Sequence, residues 1–236
     1  MSSIRFLKKI RNLGLSILAI VAVSINLLSA VRNDNINAYY FNRNKYNKIA
    51  LTFDDGPHPV YTKKILDLLE KYQIKATFFI IGENAGYYKE TLREIVKRGH
   101  EVGNHTFSHA IIKNKSVEDI MSEVEECRNA IYDICGENTV LFRPPGGLMA
   151  DITAEDAELF ENYDIILWSI DTMDWAHHEP EKIAEYVINN TKSGDIILMH
   201  DYIGKDSPTP AALEIIIPTL MEKGYEFVTV GELISY

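Results

Sequence analysis

Past residue 46 the chain alternates short apolar runs with longer amphipathic stretches. The runs are KIALTF, ATFFIIG, HEVGNH, VLFRPP, DIILWSI, DIILMH and YEFVTV, seven in all. Most are apolar almost without interruption, as strands covered on both faces of a parallel sheet are. Between them, apolar residues at helical spacing predict helices near 61–72, 86–98, 116–135, 153–162, 180–192 and 210–223. Gly99, Gly136, Gly194 and Gly224 each follow a helical stretch and precede a strand, where a left-handed cap ends a helix. Ser116 with Asp119, and Thr153 with Asp156, fit an N-cap followed by an acid. Pro180 suits a first turn, whereas Pro218 predicts a kink or break in the last helix. The alternation gives an α/β fold, either an open doubly wound sheet or a closed barrel.

The N-terminus has a different pattern. Arg5, Lys8, Lys9 and Arg11 precede LGLSILAIVAVSINLLSAV at 13–31. A basic flank before an apolar segment is the layout of a secretory signal, and the segment is also long enough to anchor in a bilayer. LSA at 28–30 and INA at 36–38 are both imperfect cleavage sites, so anchor and cleaved signal stay open. Either places the rest of the chain outside the cytoplasm. The expected divisions are this segment at 1–31, a polar, Asn-rich linker at 32–46 and a catalytic domain at 47–236.

Charge narrows the partners. Without the four basic residues of the N-terminal segment, 20 basic residues stand against 34 acids, a formal −14. Such a domain will not hold a nucleic-acid backbone, and it is expected to work as a monomer. Cys127 and Cys135 lie eight residues apart in a predicted helix, so their Cα atoms stand about 12 Å apart. A disulfide needs about 7 Å or less, so none is expected.

The candidate chemistry falls at strand ends. Asp54 and Asp55 follow IALTF, His105 and His109 follow HEVGN, and Arg143 ends VLF. Asp171 and Asp174 follow DIILWSI, and His200 and Asp201 follow DIILM. In a βα barrel these ends share one edge, where active sites form. HTFSH would place two imidazoles one helical turn apart if it opens a helix, within reach of one ion. Asp54 or Asp55 completes two histidines and an acid, a set that leaves room for water and substrate. The other acid of the pair then takes a proton from the attacking water. His200 is the candidate proton donor, Asp174 orients it, and Arg143 aims the base. His58, His100, His177 and His178 are read as non-ligands.

In this order, TFDDGP, HTFSH, FRPPGG, DTMDW and LMH resemble the five motifs of the polysaccharide deacetylases, carbohydrate esterase family 4, or NodB homology domain. The resemblance spans about residues 47–236. It implies a distorted (β/α)7-type barrel, in agreement with seven strands, and removal of acetyl groups from N-acetylglucosamine polymers or xylan. It implies Asp54 as base and Asp55, His105 and His109 as ligands of one divalent cation, zinc in most members, with cobalt or another ion as alternatives. It further implies Arg143 paired with Asp54, His200 as acid tuned by Asp174, and Trp175 and Leu198 around the acetyl methyl. Pro145 and Gly146 belong to the substrate-contacting set. Many members have Tyr where Gly146 stands; glycine keeps the N–H but loses a groove-lining side chain. Asp171 receives no role.

The leading expectation is a deacetylase of the cell's own wall, with peptidoglycan N-acetylglucosamine first and chitooligosaccharide, spore-wall muramic acid or acetylxylan as alternatives. An iron oxygenase is disfavoured because such centres usually sit on β-sandwiches. A two-carboxylate glycosidase leaves the histidine pair unexplained. A silent wall-binding module would have no need of every charged motif residue.

Overall fold

The structure, a computed structural model, describes residues 37–43, 46–111, 115–147, 158–204 and 206–235. The apolar segment 13–31 and the expected cap at Thr153 and Asp156 lie outside them. In chain order the elements begin β1 (Asn37–Tyr39), β2 (Lys48–Gly56), α1 (Tyr61–Lys71) and β3 (Thr77–Ile80). They continue α2 (Gly82–Tyr87), α3 (Lys89–Lys97), β4 (Glu101–Asn104), α4 (Val117–Cys135) and β5 (Leu141–Phe142). Then come β6 (Asp164–Ile166), β7 (Ile170–Asp171), α5 (Pro180–Asn190) and β8 (Ile196–His200). Last are α6 (Thr209–Glu222), β9 (Glu226–Phe227) and α7 (Val230–Ile234).

These nine strands form one sheet in the order β1-β6-β5-β4-β3-β2-β8-β7, with β9 also on β2. Every strand pair is parallel. The apolar run DIILWSI, expected as one strand, is two. β6 pairs with β5 and β1, whereas β7 pairs with β8 at the other end of the order. Only residues 167–169 separate them, so the sheet must curl until its ends approach. Backbone bonds hold that junction: Leu167 N–H donates to the Tyr39 carbonyl at 2.7 Å and Ser169 N–H to that of Ile196 at 3.0 Å. The result is the expected distorted α/β barrel, bridged by the chain itself where no ladder closes it.

Part of the expected linker at 32–46 is built into the barrel. β1 extends the sheet beside β6, Phe41 bridges Asp195, and Arg43 pairs with the Asp195 carboxylate at 2.5 Å. Its polar composition hid a strand that is satisfied mainly through its backbone. The predicted helix 86–98 is two helices meeting at Tyr88. α6 continues through Pro218 without the expected break. The carbonyl that loses its partner there belongs to Glu214, an exposed residue that water can reach. Elsewhere the punctuation mostly holds: Ser116 Oγ accepts the Asp119 N–H at 3.1 Å, and Gly99, Gly136 and Gly224 follow their helices at φ between 75° and 83°. Gly194, at φ 85°, instead turns the chain into β8, because α5 already ends at Asn190 with an extended Thr191. Cys127 and Cys135 are free thiols. The main core joins Ile49, Leu51 and Phe53 of β2 to Ile65, Leu66 and Leu69 of α1 and to Ile216, Ile217 and Leu220 of α6, all fully buried. That packing fixes β2, whose end carries the paired acids. Among the described residues no helix is long and apolar enough to cross a membrane.

Candidate active site

On a regular strand Asp54 and Asp55 would point to opposite faces. They do not, because β2 is irregular there: the register against β3 shifts between Asp54 and Gly56, and Asp55 has φ 75°. A non-glycine residue in this left-handed region costs about 1–3 kcal/mol, so the surroundings must hold it. They do so from two sides. Asn84 of α2 donates to the Asp55 carbonyl at 2.8 Å. On the other side the buried Asp201 carboxyl lies where a Cβ on Gly56 would fall, so only glycine fits. Asp201 is held in turn by the Thr62 hydroxyl, which also accepts the His58 N–H at 2.7 Å.

The bend leaves both acids near His105, Asp54 Oδ2 at 3.8 Å from its Nε2, but gives each a different main partner. Asp54 is buried and takes the Arg143 guanidinium at 2.7 Å. Arg143 is fully buried, spread over the Phe79 ring at 4.0 Å, and also donates to Thr52 Oγ1 and to the carbonyls of Ile166 and Leu167. Asp55 instead faces two imidazoles: its Oδ1 lies 3.1 Å from His109 Nε2 and 3.5 Å from His105 Nε2. Burial alone would raise the Asp55 carboxyl, but the two histidines outweigh it and hold it well below the usual carboxylate range. The same contact raises His109.

HTFSH does not open a helix, so the condition under which helical spacing would pair its imidazoles is not met. It is an irregular loop in which Thr106 and His109 have φ of 65° and 56°. The imidazoles meet because the loop folds back, with ring centroids 5.2 Å apart. Asn104 Oδ1 accepts the Thr106 N–H, and Thr106 Oγ1 accepts that of Ala110. His105 Nδ1 is 2.7 Å from the Arg143 carbonyl, which leaves Nε2 toward Asp55. Asp55, His105 and His109 can each offer one ligand atom within 4.8 Å of the others. Asp55 Oδ1 is buried yet has no hydrogen-bond partner. One carboxylate and two imidazole nitrogens around an unsatisfied buried oxygen fit a divalent cation.

Across the edge, His200 ends β8 next to Asp54, its register partner on β2. Its Nδ1 lies 2.7 Å from Asp174 Oδ1. Burial pulls His200 down, but the Asp174 carboxylate more than offsets it and lifts the ring to about 9. Asp174 is fully buried and also accepts the His200 N–H, the Trp175 N–H and the Thr209 hydroxyl. Leu198 stands two residues before His200, on the same strand face. Trp175 lies at the rim, half exposed, its indole N–H 3.4 Å from Asp171 Oδ1. Asp171 also accepts the Met173 N–H, so this acid shapes the Asp174 turn. Pro145 is buried, and Gly146 is exposed in a tight turn at φ 69°. Gly147 packs against the Trp168 ring edge, where a Cβ would not fit.

The discounted histidines sit apart from the cation cluster. His100 accepts the Ala76 N–H, His177 and His178 are exposed, and His58 stacks on Tyr202. Thr52, Thr62, Asn84 and Thr209 are participants that sequence reading missed. Each is a single polar residue in an otherwise ordinary segment, with no spacing to mark it. Two depressions of about 640 and 620 Å³ are lined by residues of α3, the β4–β6 strand starts and α7, and by none of the candidate residues.

This fold and edge chemistry define a parallel α/β barrel with a candidate two-histidine, one-carboxylate cation site at one edge. The sequence pattern described as polysaccharide deacetylase matches residues 42–162. A peptidoglycan-N-acetylglucosamine deacetylase of Bacillus cereus is 42% identical over 80% of this chain and 88% of its own length. A crystal structure of a peptidoglycan N-acetylglucosamine deacetylase with 4-naphthalen-1-yl-N-oxidanyl-benzamide has TM-score 0.80 and 32% identity, covering 85% of this chain and 94% of that one. A family 4 acetyl xylan esterase from Clostridium thermocellum, in complex with a cobalt ion, has TM-score 0.73 and 39% identity, covering 80% and 90%. Other relatives are longer: the chain spans 38% of a Bacillus subtilis peptidoglycan-N-acetylmuramic acid deacetylase, at 38% identity over 78% of this chain. The chain belongs to the polysaccharide deacetylase family.

Proposed function

We propose that this chain removes N-acetyl groups from a cell-wall polysaccharide, with the N-acetylglucosamine of peptidoglycan as its first substrate. The observation that carries the reading is the division between adjacent acids, Asp54 on a buried guanidinium and Asp55 on two imidazoles. Asp55, His105 and His109 hold the cation, zinc first and cobalt as the alternative. When bound, such an ion polarises the acetyl carbonyl and makes water a stronger nucleophile at neutral pH.

The remaining work belongs to the chain. Asp54, aimed by Arg143, takes the proton of the water that attacks the carbonyl carbon. The Gly146 N–H, on an exposed turn, donates to the oxyanion that develops. The C–N bond breaks as His200 passes its proton to the nitrogen, leaving acetate and a free amine. Asp174 keeps His200 protonated at neutral pH and fixed in direction. Leu198 and Trp175 flank the acetyl methyl, and Pro145 shapes the opposing turn. Asp171 supports the turn that carries Asp174 and Trp175.

A wall substrate also agrees with the basic and apolar N-terminal segment, which would place the enzyme secreted or at the outer face of the membrane. The Bacillus cereus relative named for peptidoglycan supports the same substrate class. The test is acetate release from peptidoglycan, chitooligosaccharides and acetylxylan, after chelation and after adding zinc. Release should be fastest from peptidoglycan, vanish on chelation and return with zinc. Faster release from acetylxylan would move the substrate. No release from any glycan, with binding retained, would leave a wall-binding module.

A further inference from the structure

Four aromatic rings gather beside the candidate site without joining the core. His58 lies flat on Tyr202, with centroids 4.2 Å apart and planes 3° from parallel. Tyr61 lies 5.3 Å from His58, and Tyr88 lies 6.0 Å away on another side. All four are partly exposed, Tyr202 at 37%, and Tyr87, 75% exposed, continues the row at 6.4 Å from Tyr88. The rings come from the segments that build the site. His58 follows Asp55 by three residues, Tyr202 follows His200 by two, and Tyr88 follows α2, the helix whose Asn84 holds Asp55. The array therefore lies on the same edge as the acids and imidazoles.

Its orientation is fixed before any ligand arrives. His58 Nδ1 accepts the N–H groups of Val60 and Tyr61, each at 3.2 Å. An accepting Nδ1 puts the proton of a neutral ring on Nε2. Among the described residues that Nε2–H has no partner. Burial lowers the ring's affinity for a second proton. Tyr61 is a buttress: its hydroxyl accepts the Asp206 N–H at 3.0 Å, and Lys64 covers its ring. Free aromatic surface thus remains on Tyr88, Tyr202 and the edge of His58. An amphipathic ligand with an apolar face and hydroxyls on its rim matches this surface. A pyranose ring has that form, whereas a charged ligand would find no ionised partner among these four rings.

We propose that Tyr88, His58 and Tyr202 form a subsite for a sugar ring adjoining the one that loses its acetyl group. The Tyr88 and Tyr202 rings stack on the sugar's C–H face, and the His58 edge donates from Nε2 to one of its hydroxyls. The assignment rests on the polysaccharide reading above and adds that the enzyme selects for chain length through an aromatic platform.

The test uses the zinc-loaded full chain with penta-N-acetylchitopentaose and di-N-acetylchitobiose as probes. One well-placed aromatic contact is worth about 1 kcal/mol, or roughly 5- to 10-fold in affinity. In Tyr202→Ala and Tyr88→Ala, kcat/KM should fall about 5- to 10-fold further on the pentamer than on the dimer, mainly through KM. Tyr202→Phe keeps the ring and should retain pentamer affinity. Tyr132→Ala, distant on α4, controls for loss of surface tyrosine and should change neither. Equal losses on both lengths, or none, would overturn the subsite. Calorimetric binding of the pentamer gives a reading independent of turnover. If the wild type binds pentamer but releases no acetate, weaker binding by Tyr202→Ala still supports the platform, and unchanged binding overturns it. Acetate failure alone then counts against the catalytic reading.

Discussion

The two halves of the site are finished to different degrees. On the Asp174–His200 side both oxygens of the central carboxylate are satisfied within the protein. The buried Asp174 carboxylate takes His200 through ring and backbone, the Thr209 hydroxyl and the Trp175 N–H. On the Asp55 side a buried oxygen faces two ring nitrogens and has no hydrogen bond, and two of the three residues have left-handed backbones. A saturated carboxylate fixes a proton donor, while an unsatisfied one with strain around it is suited to a cation. Under the proposed mechanism the contrast separates a proton donor fixed by the protein from a site that a cation would complete.

The comparison can be broken most forcefully at the open side. Chelation, or His105→Ala, should reduce acetate release by about a thousandfold or more, because the cation contributes several kcal/mol. Residual activity within tenfold of wild type would remove the cation from the account. On the closed side, His200→Ala should cost about 10²–10⁴ in kcat while leaving zinc content intact, as measured by metal analysis. If zinc is also lost, the two halves are not separate.

A pH profile sharpens the contrast. In the proposed reaction His200 donates only while protonated, and its ring is raised to about 9. Activity should therefore hold through neutral pH and decline as pH rises through about 9. Asp174→Asn removes the charge that raises the ring, so this alkaline limb should move down toward the ordinary histidine value of 6.5. A limb that stays in place would assign it to another group. Smaller effects should follow from the supports. Asn84→Ala frees the Asp55 turn and should weaken zinc binding about tenfold. It should leave the alkaline limb where it is, and Thr209→Val should do the reverse.

The smallest expected effect is on stability. Burial raises the Asp201 carboxyl to about 7 from an ordinary 3.8, against the lowering by Thr62. Between those values the folded chain keeps a proton that the unfolded chain has lost. Its contribution is thus full below about 4, falls as pH rises to about 7 and is level above. Asp201→Asn keeps an acceptor for Thr62 without the charge, so it should raise Tm by a few degrees at pH 8 relative to wild type and change it little near pH 4. An equal shift at both values would show that the carboxyl does not titrate with folding.

Much of this was legible in the sequence, for reasons that also mark the limits. Strand ends ending in ionisable residues showed which groups share an edge, since a parallel barrel leaves them nowhere else to converge. The helix-ending glycines and Ser116 were readable because their signals are local. How HTFSH brings its two imidazoles together stayed open because spacing records separation along the chain, not the φ of Thr106 that folds the loop back. DIILWSI was read as one strand because hydrophobicity continues through Trp168, where the chain crosses from one end of the sheet to the other. Asn37–Tyr39, inside the Asn-rich stretch 32–46, was missed because a strand at the sheet's end can be held by backbone bonds with little apolar signal. Asn84, Thr62 and Thr209 act through single hydrogen bonds across long sequence separations, which no local pattern records.

The central claim is the division between neighbours in TFDDGP, and it can be measured with two variants. Purified Asp54→Asn and Asp55→Ala are each stripped, reloaded with zinc, and assayed for bound metal and for acetate released from peptidoglycan. The account predicts that Asp54→Asn retains zinc and releases no acetate, whereas Asp55→Ala loses both. Zinc lost from Asp54→Asn and kept by Asp55→Ala would contradict it.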